Sequence, residues 1–170
     1  MEKEIVNRVA TSSLVSIDLE EFYTPGERVL LDIRDLLFQG MILKEKDFRD
    51  FIKTHNWSEY TGKLVAITCR VDAVIPTWAY MLLAVALQPF AGKVFFGSLV
   101  ELETHLFRDA LAGVDWERYR GAKVVIKGCS KREVPTSAYV EVSRYLQPLV
   151  VSMMYGEPCS TVPIYKRSKA

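Results

Sequence analysis

The widest chemistry in this chain belongs to its three cysteines, Cys69, Cys129 and Cys159. Thiolates favour zinc, copper(I) and iron–sulfur clusters, and three of them leave one position for an oxygen or exogenous ligand. Asp72, three residues after Cys69, is the nearest acidic candidate for that position, and Glu157 is the other. No C-x-x-C pair occurs, so local spacing alone does not demand a metal. Two other readings stand beside it. Free cysteine is a common core residue, which would make the thiols inert. A reactive thiol is the third, best placed at Cys159 in its Pro-Cys-Ser-Thr loop, although no histidine is set by sequence to act as its base.

What positions these residues is a segment the chain writes twice. A shift of 59 positions lays Trp57, Tyr60, Gly62, Val65 and Ile67 on Trp116, Tyr119, Gly121, Val124 and Ile126. It also lays Pro76, Thr77, Ala79 and Tyr80 on Pro135, Thr136, Ala138 and Tyr139, then Leu87, Gln88, Pro89 and Gly97 on Leu146, Gln147, Pro148 and Gly156. These 13 identities over 41 ungapped positions exceed the roughly two or three that composition alone would give, and they read as an internal duplication.

Each copy reads strand–helix–strand. Leu64–Cys69 and Lys123–Lys127 are short apolar runs typical of strands buried on both faces. The helices that follow start near Pro76 and Pro135, with Thr77 and Thr136 as capping residues and Tyr80 and Tyr139 packing inward. An anion seated at these helix N-termini is the alternative. The first helix is apolar nearly all round, which predicts cover on several sides. Lys93–Phe96 and Val150–Tyr155 are the second strands. Between the copies, Ser98-x-x-Glu101 is a capping box opening a helix. Ahead of them, Leu14–Asp18 and Val29–Ile33 are β-type runs that predict a hairpin or an edge addition, and Phe48, Phe51, Ile52 and His55 mark an amphipathic helix.

The expected fold is α/β: one three-layer, parallel-sheet domain over 1–170, Rossmann-like but without a nucleotide signature. It comprises an N-terminal extension (1–55), a first repeat (56–97), a second repeat (115–156) and a C-terminal segment (157–170). Strand order 2-1-3-4 would place the two copies' first strands side by side, with Cys69 and Cys129 flanking the switch point and Cys159 on the same edge.

Composition narrows the classes. The chain is 49% hydrophobic and 25% charged with net charge +1, so neither nucleic acid nor an anionic membrane surface is an expected partner. An odd cysteine count and the lack of an apolar h-region near Met1 predict a cytoplasmic location. Ala73–Gly92 is uncharged over 20 positions, but its bracketing prolines predict a buried helix rather than a membrane span.

Asp72–Tyr80, the Lys127-Gly-Cys129 segment, Glu4–Ala10 and above all Gly156–Lys166 resemble an uncharacterised bacterial family, domain of unknown function 2480. The resemblance implies a cytoplasmic accessory role in metal or cluster handling, because members are often encoded near sulfur-mobilisation genes. It supplies no catalytic residues. The expected function is therefore a cytoplasmic accessory protein binding zinc or an iron–sulfur species through Cys69, Cys129, Cys159 and Asp72, with iron–sulfur assembly proteins as partners. The alternatives are a non-catalytic protein-interaction module with inert buried cysteines, and a thiol or persulfide-carrying enzyme using Cys159.

Overall fold

The computed structural model describes residues 14–128, 131–157 and 159–168. It is a mixed α/β protein whose strands lie in two sheets, one in each of two compact units. One unit is Pro25–Glu103; the other takes the described residues up to Thr24 and from Thr104 onward.

In the Pro25–Glu103 unit, β2 (Arg28–Asp32), β3 (Leu64–Thr68) and β4 (Lys93–Phe96) form a parallel sheet in that order. Helix α1 (Glu45–Thr54) and helix α2 (Thr77–Leu87) pack on it around Ile33, Phe48, Trp57, Val65, Leu83 and Leu87. His55 ends α1 among Phe51, Trp57 and Tyr60, with its Nε2 2.9 Å from the Glu59 carboxylate, so it serves packing. Burial, then the neighbouring Glu59, pushes the Tyr60 phenol up to about 12.

In the other unit, β1 (Leu14–Asp18), β5 (Lys123–Lys127) and β6 (Ser152–Glu157) run parallel, and β7 (Ser160–Lys166) closes the sheet antiparallel to β6. Helix α4 (Thr136–Leu146) covers a core that includes Phe107, Trp116, Val124, Val142 and Met153. The boundary between the units falls within α3 (Leu99–Ala112). The capping box is present at its start: Ser98 N–H donates to Glu101 Oε2 (2.8 Å), and Glu101 N–H donates to Ser98 Oγ (3.2 Å). Hydrogen bonds from the Ser98 N–H and then the Ser98 hydroxyl (2.8 Å) hold the Glu101 carboxyl below its usual range.

The same hydrogen bonds recur 59 residues apart. Trp57 Nε1 donates to the Ile52 carbonyl and Trp116 Nε1 to the Leu111 carbonyl, both at 2.9 Å. Gly62 N–H meets the Phe90 carbonyl and Gly121 N–H the Leu149 carbonyl, again both at 2.9 Å. Gly62 (φ +72°) and Gly121 (φ +75°) both adopt left-handed backbone, which a β-carbon would strain. The paired tryptophans and tyrosines are buried anchors in 3₁₀ turns, Trp57–Tyr60 and Trp116–Tyr119.

Several expectations change. The first strands of the two copies are not neighbours; β3 pairs with β2 and β4, whereas β5 pairs with β1 and β6. The single sheet of order 2-1-3-4 and its switch point therefore do not form. The N-terminal runs make no hairpin, because β1 and β2 each add in parallel to the edge of a different sheet. Pro76 and Pro135, not the threonines, occupy the helix N-cap positions, and neither cap carries a side-chain hydrogen bond. Residues 160–166, within the C-terminal segment, are an edge strand that tolerates Pro163. Among the described residues, no helix is long and apolar enough to cross a membrane.

Candidate functional site

Among the described residues the expected thiol centre does not form. Cys69 follows β3, partly buried, with its Sγ 3.8 Å from the Val71 carbonyl oxygen. Cys159 is exposed in the turn between β6 and β7, and Cys129 lies outside the described residues. Asp72 is exposed in a loop, and Glu157 is exposed at the end of β6. Convergence required β3 and β5 to be adjacent strands, and they belong to different sheets. Among the described residues, no group of three or more His, Cys, Asp or Glu could hold a metal ion. This overturns the zinc and iron–sulfur reading. The exposure of Cys159 also removes the expectation that all the thiols are buried.

What gathers at the carboxyl edge of the β2–β3–β4 sheet is a different set. Asp32 ends β2 and accepts from Arg34 N–H (3.1 Å), Arg70 N–H (3.3 Å) and Arg70 Nε (2.6 Å). Burial alone would raise its pKa, but the Arg70 and backbone hydrogen bonds outweigh it and hold the carboxyl below its usual range. Tyr80, on α2, is pushed up by burial and then by Cys69 and Asp32. Its ring meets the Phe96 ring edge-on at 4.9 Å. The other sheet has a related arrangement: Asp18 pairs with Lys127 at 3.4 Å, and Tyr139 meets Tyr155 edge-on at 5.7 Å. Gly128 lies 59 positions after Cys69, and a β-carbon on it would lie 2.8 Å from the Tyr139 hydroxyl.

These groups hold the backbone rather than face a reactant. The Asp32 carboxylate ties the turn after β2 to the loop after β3, and Tyr80 stays protonated at neutral pH. Because the carboxyl is lower in the folded than in the unfolded chain, its stabilisation is complete above about pH 4 and is lost as pH falls through the folded value. Urea midpoints measured from pH 5 down to pH 2 should therefore fall less steeply in Asp32→Asn than in the wild type. Equal slopes would show that Asp32 contributes nothing to the acid limb.

A groove of ≈ 340 Å³ lies between α4 and the carboxyl ends of β5 and β6, lined by Ile126, Thr136, Tyr139, Ser143, Tyr155 and Ile164. Its size suits a small ligand, but the Ser143 hydroxyl is already donated to the Tyr139 carbonyl at 2.7 Å.

The more informative surface is on α2. Its inner stripe, Ala79, Leu83 and Leu87, is buried, and so are the residues 59 positions on, Ala138, Val142 and Leu146. The fold uses these stripes alike. The outer positions differ. On α2, Trp78 and Leu82 pack against the core, Trp78 edge-on to Phe48 at 5.9 Å, while Met81 and Val85 face out; 59 positions on, α4 has Ser137, Glu141, Val140 and Arg144, with Glu141 and Arg144 paired at 3.1 Å. Met81 is 63% exposed and Val85 72%, and Val74 just ahead of the helix is 91% exposed. The cover expected on several sides of α2 is absent from its outer face.

The residues that matter most were thus missed at Asp32, Arg70, Met81, Val85 and Phe96. A comparison of the two helices position by position, outer stripe against outer stripe, carries the signal for Met81 and Val85. No curated protein and no solved structure matches the chain. A family model described as "Protein of unknown function (DUF2480)" matches residues 3–167, and the chain belongs to that family.

Proposed function

We propose that this chain is a protein-interaction module that receives an apolar partner surface on the outer stripe of α2. One observation carries the reading. On the outer face of α2, Met81 and Val85 are exposed apolar residues, where α4 has Val140 and the charged Arg144. An exposed apolar stripe that the fold does not require marks an interaction surface. Methionine suits such a surface, because its flexible thioether adapts to the shape of what docks on it.

In this reading the two halves descend from a duplicated strand–helix–strand unit, and only the first kept or acquired the docking stripe. The shared tryptophan and glycine hydrogen bonds support the common origin. An exposed thiol at Cys159 suits a reducing compartment, which supports a cytoplasmic location.

A photo-crosslinking amino acid at position 81 or 85, introduced into the full chain in producing cells, tests the reading. One discrete adduct, identified by mass spectrometry as a single protein and missing when the probe stands at Arg144, is the expected result. Iron–sulfur assembly proteins, the partners implied by the family resemblance, are the first to look for. No adduct from either α2 position, or the same adduct from position 144, would sink the proposal.

A further inference from the structure

The two sheets differ in one respect that the repeat makes visible. In one unit β6 carries β7 on its outer edge, paired from Ser152 opposite Lys166 to Glu157 opposite Ser160. In the other unit the corresponding strand, β4, is the last strand of its sheet, and among the described residues no strand pairs with its outer edge. Lys93 N–H donates to the Lys63 carbonyl and Gly97 N–H to the Ile67 carbonyl, so odd-numbered residues turn toward β3. By the two-residue period of a strand, Val94 and Phe96 turn their N–H and C=O groups outward. Natural edges are blunted by proline, charge or a bulge. β7 has Pro163 in its middle, whereas the one charge of β4, Lys93, stands at its first position and leaves Val94–Phe96 apolar, with Phe96 63% exposed.

We propose that this edge pairs with β4 of a second copy of the chain, antiparallel, about a two-fold axis at Phe95. The two three-stranded sheets then become one sheet of six strands. The inference rests on the interaction reading above, and names a second copy as the occupant of that side of the unit. The register follows from the backbone. Residues that exchange hydrogen bonds across an antiparallel pair must both face outward, and an axis at Phe95 sets Val94 opposite Phe96 twice, giving four hydrogen bonds. A shift of two residues in either direction moves half of these bonds off the strand, onto Gly92 or Ser98.

Charge agrees with self-pairing. Lys93 is the one charged residue of β4, and in this register the two copies of it lie at opposite ends of the pair, roughly 13 Å apart. The uncharged run from Ala73 to Gly92 adds no like-charge repulsion. A two-fold perpendicular to the sheet keeps both α2 helices on one face of it, on either side of the axis, so their Met81–Val85 stripes flank the same seam. The two Phe95 side chains meet at the axis as a close, non-hydrogen-bonded pair.

Sedimentation equilibrium of the full chain up to about 100 µM gives the first reading, and a dimer is expected. Phe96→Pro removes one outward donor per copy, half of the four bonds, and should weaken the dimer at least ~10-fold with an unchanged circular-dichroism spectrum. A second measurement does not depend on that variant. In a chain with Cys69, Cys129 and Cys159 replaced by serine, Phe95→Cys should give a disulfide-linked dimer on mild oxidation. Met154→Cys, at the corresponding place on the covered strand β6, should not. A monomer at every concentration overturns the proposal, as does a dimer that survives Phe96→Pro without linking through position 95. If the chain is monomeric but probes at Met81 or Val85 capture another protein, self-pairing fails and the interaction reading stands; with no adduct either, both fail.

Discussion

Trp116→Ala is expected to lower the unfolding free energy by about 3–5 kcal/mol, a third or more of the stability of a typical domain. The indole is buried, stacks on Tyr145 at 5.4 Å with only 8° between the planes, and donates to the Leu111 carbonyl at 2.9 Å. Truncation leaves a cavity and removes the stronger of the two donors to the Leu111 carbonyl, which keeps only Val114 N–H at 3.3 Å. Trp116→Phe separates them, since most of the ring is kept while the donor is lost, and about 1–2 kcal/mol should go. Trp57→Ala should cost a similar amount, because Trp57 makes the same bond to Ile52 and is buried to the same degree. Urea unfolding of the three variants measures this. A loss below about 1 kcal/mol for either alanine variant would mean that the paired anchors are not what holds the two cores.

The second large effect is a contrast within α2. Leu83 is fully buried, and Leu83→Asp puts a charge with no partner into the core of the Pro25–Glu103 unit, a cost beyond about 4–5 kcal/mol that should unfold it. Met81, two residues earlier, faces outward, and Met81→Asp in dilute protein should change stability by no more than about 0.5 kcal/mol. Circular dichroism and urea titration of the two variants decide the matter. If Met81→Asp unfolds the chain as Leu83→Asp does, the outer stripe is covered in the monomer, and its role in docking is lost.

How much of this is legible in the sequence varies with the range of the forces involved. Local patterns read well. Periodicity found α1, the Ser98–Glu101 spacing found the capping box, and the repeated Trp and Tyr were expected to anchor the core. Strand partners did not read, because the runs Leu64–Thr68 and Lys123–Lys127 are equally apolar whether they meet each other or meet β2 and β1. Nothing local in Leu14–Asp18 names a partner more than a hundred residues on. The thiol centre failed for the same reason: it was inferred from a strand adjacency that an offset between copies cannot establish. α2 misled in another way. An all-apolar helix normally signals burial, and only the charged Arg144 at the counterpart of Val85 marks a position that need not be apolar.

The pairing of β1 with β5 has a temporal meaning. Leu14 meets Lys123, so β1 has its partner only after roughly a hundred further residues have been made. The Pro25–Glu103 unit lies wholly within that interval and is continuous in sequence, so it has all its contacts available first. Once folded, it brings its own ends together, for Arg28 Nε and Nη2 grip the two carboxylate oxygens of Glu103. Closing a loop across a folded insert costs less entropy than closing it across a free chain of the same length. The inserted unit can thus complete its contacts before the unit that flanks it in sequence, and the order of synthesis becomes an order of folding.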